Sequence, residues 1–85
     1  MSYIYCWVNL FTFAPIFISE DGKGRRLGCA PIDTLPEALV AHCVENDIHH
    51  IRLFGNNSIS SQIEEEVETL FRINYTNHPI EIEVN

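Results

Sequence analysis

Residues 3–18 read YIYCWVNLFTFAPIFI, and the way this stretch folds decides the rest of the chain. No charged side chain occurs between Met1 and Ser19, so the run invites three readings: a membrane span, a secretory leader or a buried strand. A span needs about 20 predominantly apolar residues, and this run is shorter and carries Asn9 and Pro15. A leader wants a basic start and a small-residue cleavage site, and neither is evident. Ile, Val, Thr, Tyr, Trp and Phe dominate instead, the residues that suit a pleated surface. The expectation is a strand, in a chain without a membrane-crossing segment. In a strand, alternate side chains share a face. Tyr3, Tyr5, Trp7, Asn9, Phe11 and Phe13 fall on one face, and Ile4, Cys6, Val8, Leu10 and Thr12 on the other. Neither face reads as solvent-facing, which predicts a central strand covered on both sides, by the chain itself or with a partner over one side.

The segments on either side of this strand supply candidate covers. Ala14-Pro15 breaks the pattern, because proline cannot donate to a strand ladder. Residues 16–18 restart an extended run, and Asp21-Gly22-Lys23-Gly24 is a hairpin signal. Residues 25–32 follow as a third strand, weakened by Gly28 and Pro31. A first helix is marked by Thr34 and Glu37 at capping-box spacing and by Pro36 in the first turn. Leu35, Leu39 and Cys43 form its apolar stripe, with Val40 and Val44 beside it, and Asn46-Asp47 ends it. Residues 48–54 form a strand stopped by Gly55-Asn56-Asn57. Residues 58–73 form the clearest helix, with Ile59, Ile63, Val67, Leu70 and Phe71 at helical spacing and Ser61 and Glu64 offering a second capping box. A last strand alternates Ile80, Ile82 and Val84 with Glu81, Glu83 and Asn85. The prediction is a single α/β (α+β) domain over residues 1–85, of order β-β-(β)-α-β-α-β, with one mixed sheet and two helices packed on it.

Composition narrows the function. A chain of 85 residues is one small domain, and 46% hydrophobic content with 20% charged residues places it among globular chains. The formal charge of −7 disfavours nucleic acid as a partner, because a phosphate backbone demands positive potential. Cys6, Cys29 and Cys43 are an odd count without metal spacing, which fits reduced, packed thiols in a cytoplasmic protein.

The order of elements resembles the ribonuclease-H-like arrangement, a three-strand meander followed by α-β-α-β, with a ferredoxin-like split βαβ as the competing layout. Nucleases of that type hold divalent metal with carboxylates on the first strand and at the end of the fourth. Here Asn9 and Asn56-Asn57 stand at those places, and a neutral amide is a poor ligand for such a hard cation. Glu20, Asp21, Glu37 and Glu45 remain without anything that fixes them together. The expectation is therefore a protein that is not an enzyme and needs no cofactor or metal. His49 and His50 point to opposite faces of a strand, and His42-Cys43 lack a second pair at zinc spacing.

Three candidate surfaces follow. Tyr3, Tyr5, Trp7, Phe11 and Phe13 form an aromatic partner-binding face. Gly55, Asn56, Asn57 and Ser58 lead from strand to helix, where backbone N–H groups either receive an anion or only cap the helix. Lys23, Arg25 and Arg26 hold three of the five basic residues and would serve nucleic acid, with aromatic stacking platforms beside them, or else form a solvated hairpin tip. The Glu64, Glu65, Glu66 and Glu68 run is a solvated helix face, or an acidic surface for a basic groove. The opening YIYCWVNLFTF with the closing IEIEVN is similar to short proteins of tailed bacteriophages, which implies an accessory protein in the host cytoplasm. Together these predict an interaction module that self-associates as a homodimer through its sheet and binds a protein partner. The alternative is a degenerate nucleic-acid-binding module of ribonuclease-H-like topology.

Overall fold

The computed structural model describes residues 2–9, 14–21 and 24–85. Its elements are β1 (Ile4–Val8), β2 (Ile16–Glu20), β3 (Arg25–Ala30), α1 (Leu35–Asn46), β4 (His50–Gly55), α2 (Asn57–Asn74) and β5 (Glu81–Val84). The strands form one mixed sheet in the order β3-β2-β1-β4-β5. β2 runs antiparallel to both β1 and β3, whereas β4 is parallel to β1 and β5 is parallel to β4. The predicted α+β order holds throughout, including the glycine-weakened third strand.

One face of the sheet makes the core. Ile4, Cys6 and Val8 of β1, Ile16 and Ile18 of β2, and Ile51 and Leu53 of β4 are buried there. They pack against Leu35, Leu39 and Cys43 of α1 and Ile63, Val67 and Phe71 of α2. Ile82 and Val84 of β5 extend this face, partly buried. β1 is central, as its composition predicts, and of the two arrangements expected for its faces the chain itself covers only one. Both helices draw on a single alternation class of the strands, so Trp7, in the other class, remains 67% exposed. β1 also ends at Val8, and the portion of the predicted strand over residues 10–13 lies outside the described residues.

The helix ends correct two further details. Thr34 precedes α1 with φ −112° and ψ 4°, and its side chain makes no capping bond, so the predicted capping box is not formed. Asp47 closes α1 in the left-handed conformation at φ 55°, with the N–H of Ile48 donating to Cys43 O at 2.9 Å. For α2 the cap is Asn56, ahead of Ser61: its Oδ1 accepts from Ile59 N at 3.0 Å.

Two glycines set close approaches. Gly55 has φ +103°, and a Cβ there would lie 2.0 Å from Val8 O. Only glycine lets β4 turn toward α2 against the end of β1. At Gly28 a Cβ would lie 2.8 Å from His42 Nε2, so the bare backbone of β3 admits that α1 side chain.

Candidate functional site

The sheet face opposite the helices carries no helix and exposes Trp7 and Phe17. Period-two alternation sends Tyr5 and Trp7 of β1 onto it, with Tyr3 just before that strand, together with Phe17 of β2 and His50, Arg52 and Phe54 of β4. The parallel register pairs Trp7 with Phe54, and the two rings stack with centroids 6.0 Å apart and planes inclined by 14°. Phe17 is 46% exposed, and the Arg26 guanidinium carbon lies 3.8 Å from its ring centroid, a cation–π contact. A shallow groove of ≈ 290 Å³ runs along this face between Tyr3, Tyr5, Trp7, Asp21 and Phe54.

Charge is divided across the face. Toward β3 it carries Arg26. Toward β5 it carries Glu81 and Glu83, which the register sets beside His50 and Arg52. Arg52 Nη1 donates to Tyr3 Oη at 3.0 Å, and its Nε meets Glu83 Oε2 at 3.0 Å as an ion pair rather than a well-directed hydrogen bond. His50 Nε2 lies 3.7 Å from Glu81 and 3.6 Å from Glu83. Arg52 is thus neutralised locally, and the exposed Glu81 leaves the β5 side acidic.

The predicted aromatic set is only partly placed: Tyr3, Tyr5 and Trp7 share the face, and Phe11 and Phe13 lie outside the described residues. The basic trio is not brought together. Lys23 lies outside the described residues, and Arg25 and Arg26 sit on opposite faces of the sheet. A bulge at Ile18/Ser19 resets the register so that Arg26 pairs with Ser19 and Arg25 with Glu20. Arg25 is engaged on the helix side, 2.9 Å from the buried Glu20 carboxylate and 3.3 Å from Asn46 Oδ1. Reasoning from sequence missed Phe17, Phe54 and Arg52; the alternation of residues 48–54 put Arg52 and Phe54 on one strand face, and the register with β1 adds the rest.

In the loop at Gly55, Asn56, Asn57 and Ser58, the backbone groups and side-chain oxygen of Asn56 are engaged within the chain. Asn56 N donates to Val8 O at 3.1 Å, and Asn56 O accepts from Ser60 N at 2.9 Å. Asn9 and Asn56 follow the last paired residues of the parallel strands β1 and β4, so two amides stand at that end of the sheet. Glu20 pairs with Arg25, while Glu37 lines a groove of ≈ 490 Å³ between the helices with Asp33, Glu65 and Glu66.

The cysteines divide by exposure. Burial pushes the Cys6 and Cys43 thiols up to about 12, and for Cys6 the proximity of Cys43 adds to the effect. A thiol held protonated is a poor nucleophile. Cys29 is exposed on β3.

The chain matches no protein-family model, and no curated protein is significantly similar to it. Among the described residues, no helix is long and apolar enough to cross a membrane.

Proposed function

We propose that the protein acts by binding rather than catalysis, as a homodimer joined face to face through its open sheet. The observation that carries this reading is Trp7, two-thirds exposed on the central strand amid other aromatic side chains. Burying two such faces removes apolar area from water, the dominant favourable term in association. Charge supports a second copy as the occupant. With a two-fold axis parallel to β1, β3 of one copy lies over β5 of the other. Arg26 then meets the partner copy's acidic β5 side at the level of Glu83, and the aromatic rows meet at the centre. Such an interface is self-complementary, as two-fold symmetry requires. The strand order β3-β2-β1-β4-β5 supports reading the topology as ribonuclease-H-like with its carboxylates replaced, which leaves a scaffold for recognition.

Sedimentation equilibrium across a concentration series tests the reading. A tryptophan contributes roughly 150–250 Å² at about 25 cal/mol/Å². Covering the exposed two-thirds of Trp7 is then a gain of about 3–4 kcal/mol per copy at most. Trp7→Ser should weaken dimerisation by at least a hundredfold while circular dichroism stays unchanged. Glu81→Lys should weaken it to a smaller, salt-dependent degree. A wild-type chain that stays monomeric at every concentration would defeat the proposal.

A further inference from the structure

At the β4–β5 edge of the open face, beside the aromatic rows, one histidine faces two carboxylates. We infer that His50, Glu81 and Glu83 form a site for one divalent transition-metal ion of the zinc type. One nitrogen of the imidazole and one oxygen of each carboxylate lie within 4.8 Å of one another. An imidazole and two carboxylates are donors that zinc accepts, with a fourth position left for water. All three groups belong to one chain, so the site does not depend on self-association.

The strand register assembles the cluster. His50 is the cross-strand neighbour of Glu81, and Glu83 lies two residues along β5 on the same face. His50 Nε2 is 3.7 Å from Glu81 Oε2 and 3.6 Å from Glu83 Oε1. Both separations exceed hydrogen-bond length. This nitrogen is also buried from water and has no hydrogen-bond partner among the described residues. A buried polar atom left in that state calls for a partner such as an ion. The same separations suit ligands of a common ion. Zinc bonds of about 2.0–2.2 Å set neighbouring ligand atoms of a tetrahedron about 3.4 Å apart. The nitrogen and each oxygen therefore need to close by only about 0.2–0.3 Å.

The surroundings hold two of the three ligands. The His50 ring packs on Tyr3, with centroids 5.5 Å apart. Glu83 divides its oxygens: Oε2 meets Arg52 Nε at 3.0 Å, while Oε1 is the one that faces His50. Carboxylates that ligate metals are oriented in this manner by a second partner, which makes Arg52 a positioning residue. Two carboxylates against one guanidinium still leave net negative charge for a cation. Glu81 is exposed and can turn onto the ion. The ion would fasten β5, an edge strand of four residues, to β4 through side chains as well as backbone. The cluster of Asp47, His49 and His78 on the helix side is not an equivalent site. Its two imidazoles stack with planes only 22° apart, so their in-plane lone pairs do not meet at one ion.

The test is calorimetric titration of the untagged protein with zinc chloride, in a Cys29→Ser background that removes the exposed thiol. Thermal melts with zinc and with chelator accompany it, and nitrogen-15 spectra of the histidine rings identify the ligating nitrogen. One zinc per chain is expected, with a rise in Tm that chelator reverses and a shift of His50 Nε2. His50→Gln, Glu81→Gln and Glu83→Gln should each lower zinc affinity at least tenfold, with circular dichroism unchanged. Glu45→Gln, which removes an exposed carboxylate elsewhere, should leave the affinity as it is. Absence of uptake would overturn the inference, as would uptake that any of the first three variants leaves unaltered. A shift of His49 or His78 in place of His50 would also overturn it, by putting the ion elsewhere.

Discussion

Raising the pH should unfold this protein through its two core thiols. Cys6 and Cys43 have folded values pushed up to about 12 against an unfolded value of 9.0. Below pH 9 both states hold the proton, so the stability this difference confers is fully present. Between 9 and 12 the unfolded chain ionises while the folded chain does not, and that stability is lost as pH rises. At pH 10 the folded thiols are still protonated, so the loss depends almost wholly on the unfolded value. It amounts to about 1.4 kcal/mol per thiol, or about 3 kcal/mol for the pair. Against a total on the order of 4–13 kcal/mol for a chain of this size, that is a large fraction. Urea unfolding followed by circular dichroism from pH 8 to 10.5, under reducing conditions, measures it. The Cys6→Ala, Cys43→Ala double variant will start from a lower stability because of the cavities it creates. Its decline with pH should nevertheless be flatter by about 3 kcal/mol at pH 10. If the wild type and double variant decline in parallel, the thiols are not the cause and the reasoning fails.

Two substitutions probe the backbone and the core. Gly55→Ala forces a side chain into φ +103° with its Cβ 2.0 Å from Val8 O, and should cost about 3 kcal/mol or more, read as a lower urea midpoint. A loss below about 1 kcal/mol would mean that the β1–β4 end relaxes freely. Ser60 is fully buried on α2, and its hydroxyl has no partner among the described residues. Ser60→Ala removes an unsatisfied oxygen and favours helix, for a gain of about 1 kcal/mol; a clear loss by the same assay would point to a partner for that hydroxyl.

The elements were legible because local pattern determines them. Ile63, Val67 and Phe71 recur at helical spacing and are buried, and Asp47 ends α1 where the polar pair signalled. Relations between elements were less legible. The apolar residues on both faces of residues 3–8 say that both faces avoid water, without saying what covers them. Only the packing reveals that helices of 12 and 18 residues both cover the same face, leaving Trp7 open. The basic trio fails for a reason visible in part beforehand, since neighbours on a strand alternate and Arg25 and Arg26 must part. The bulge that then sets Arg26 beside Ser19 has no marker in the residues. His49 and His78 are separated by a helix and a loop. The parallel pairing of β4 with β5 brings their rings to 4.2 Å, a contact that no local pattern shows. The same pairing sets Glu81 beside His50 and Glu83 beside Arg52, giving the open face its acidic side. A single strand register thus creates the chemistry on both sides of the sheet edge. Substitutions that loosen β5 should therefore lower stability and self-association together, whereas Trp7→Ser should lower self-association alone.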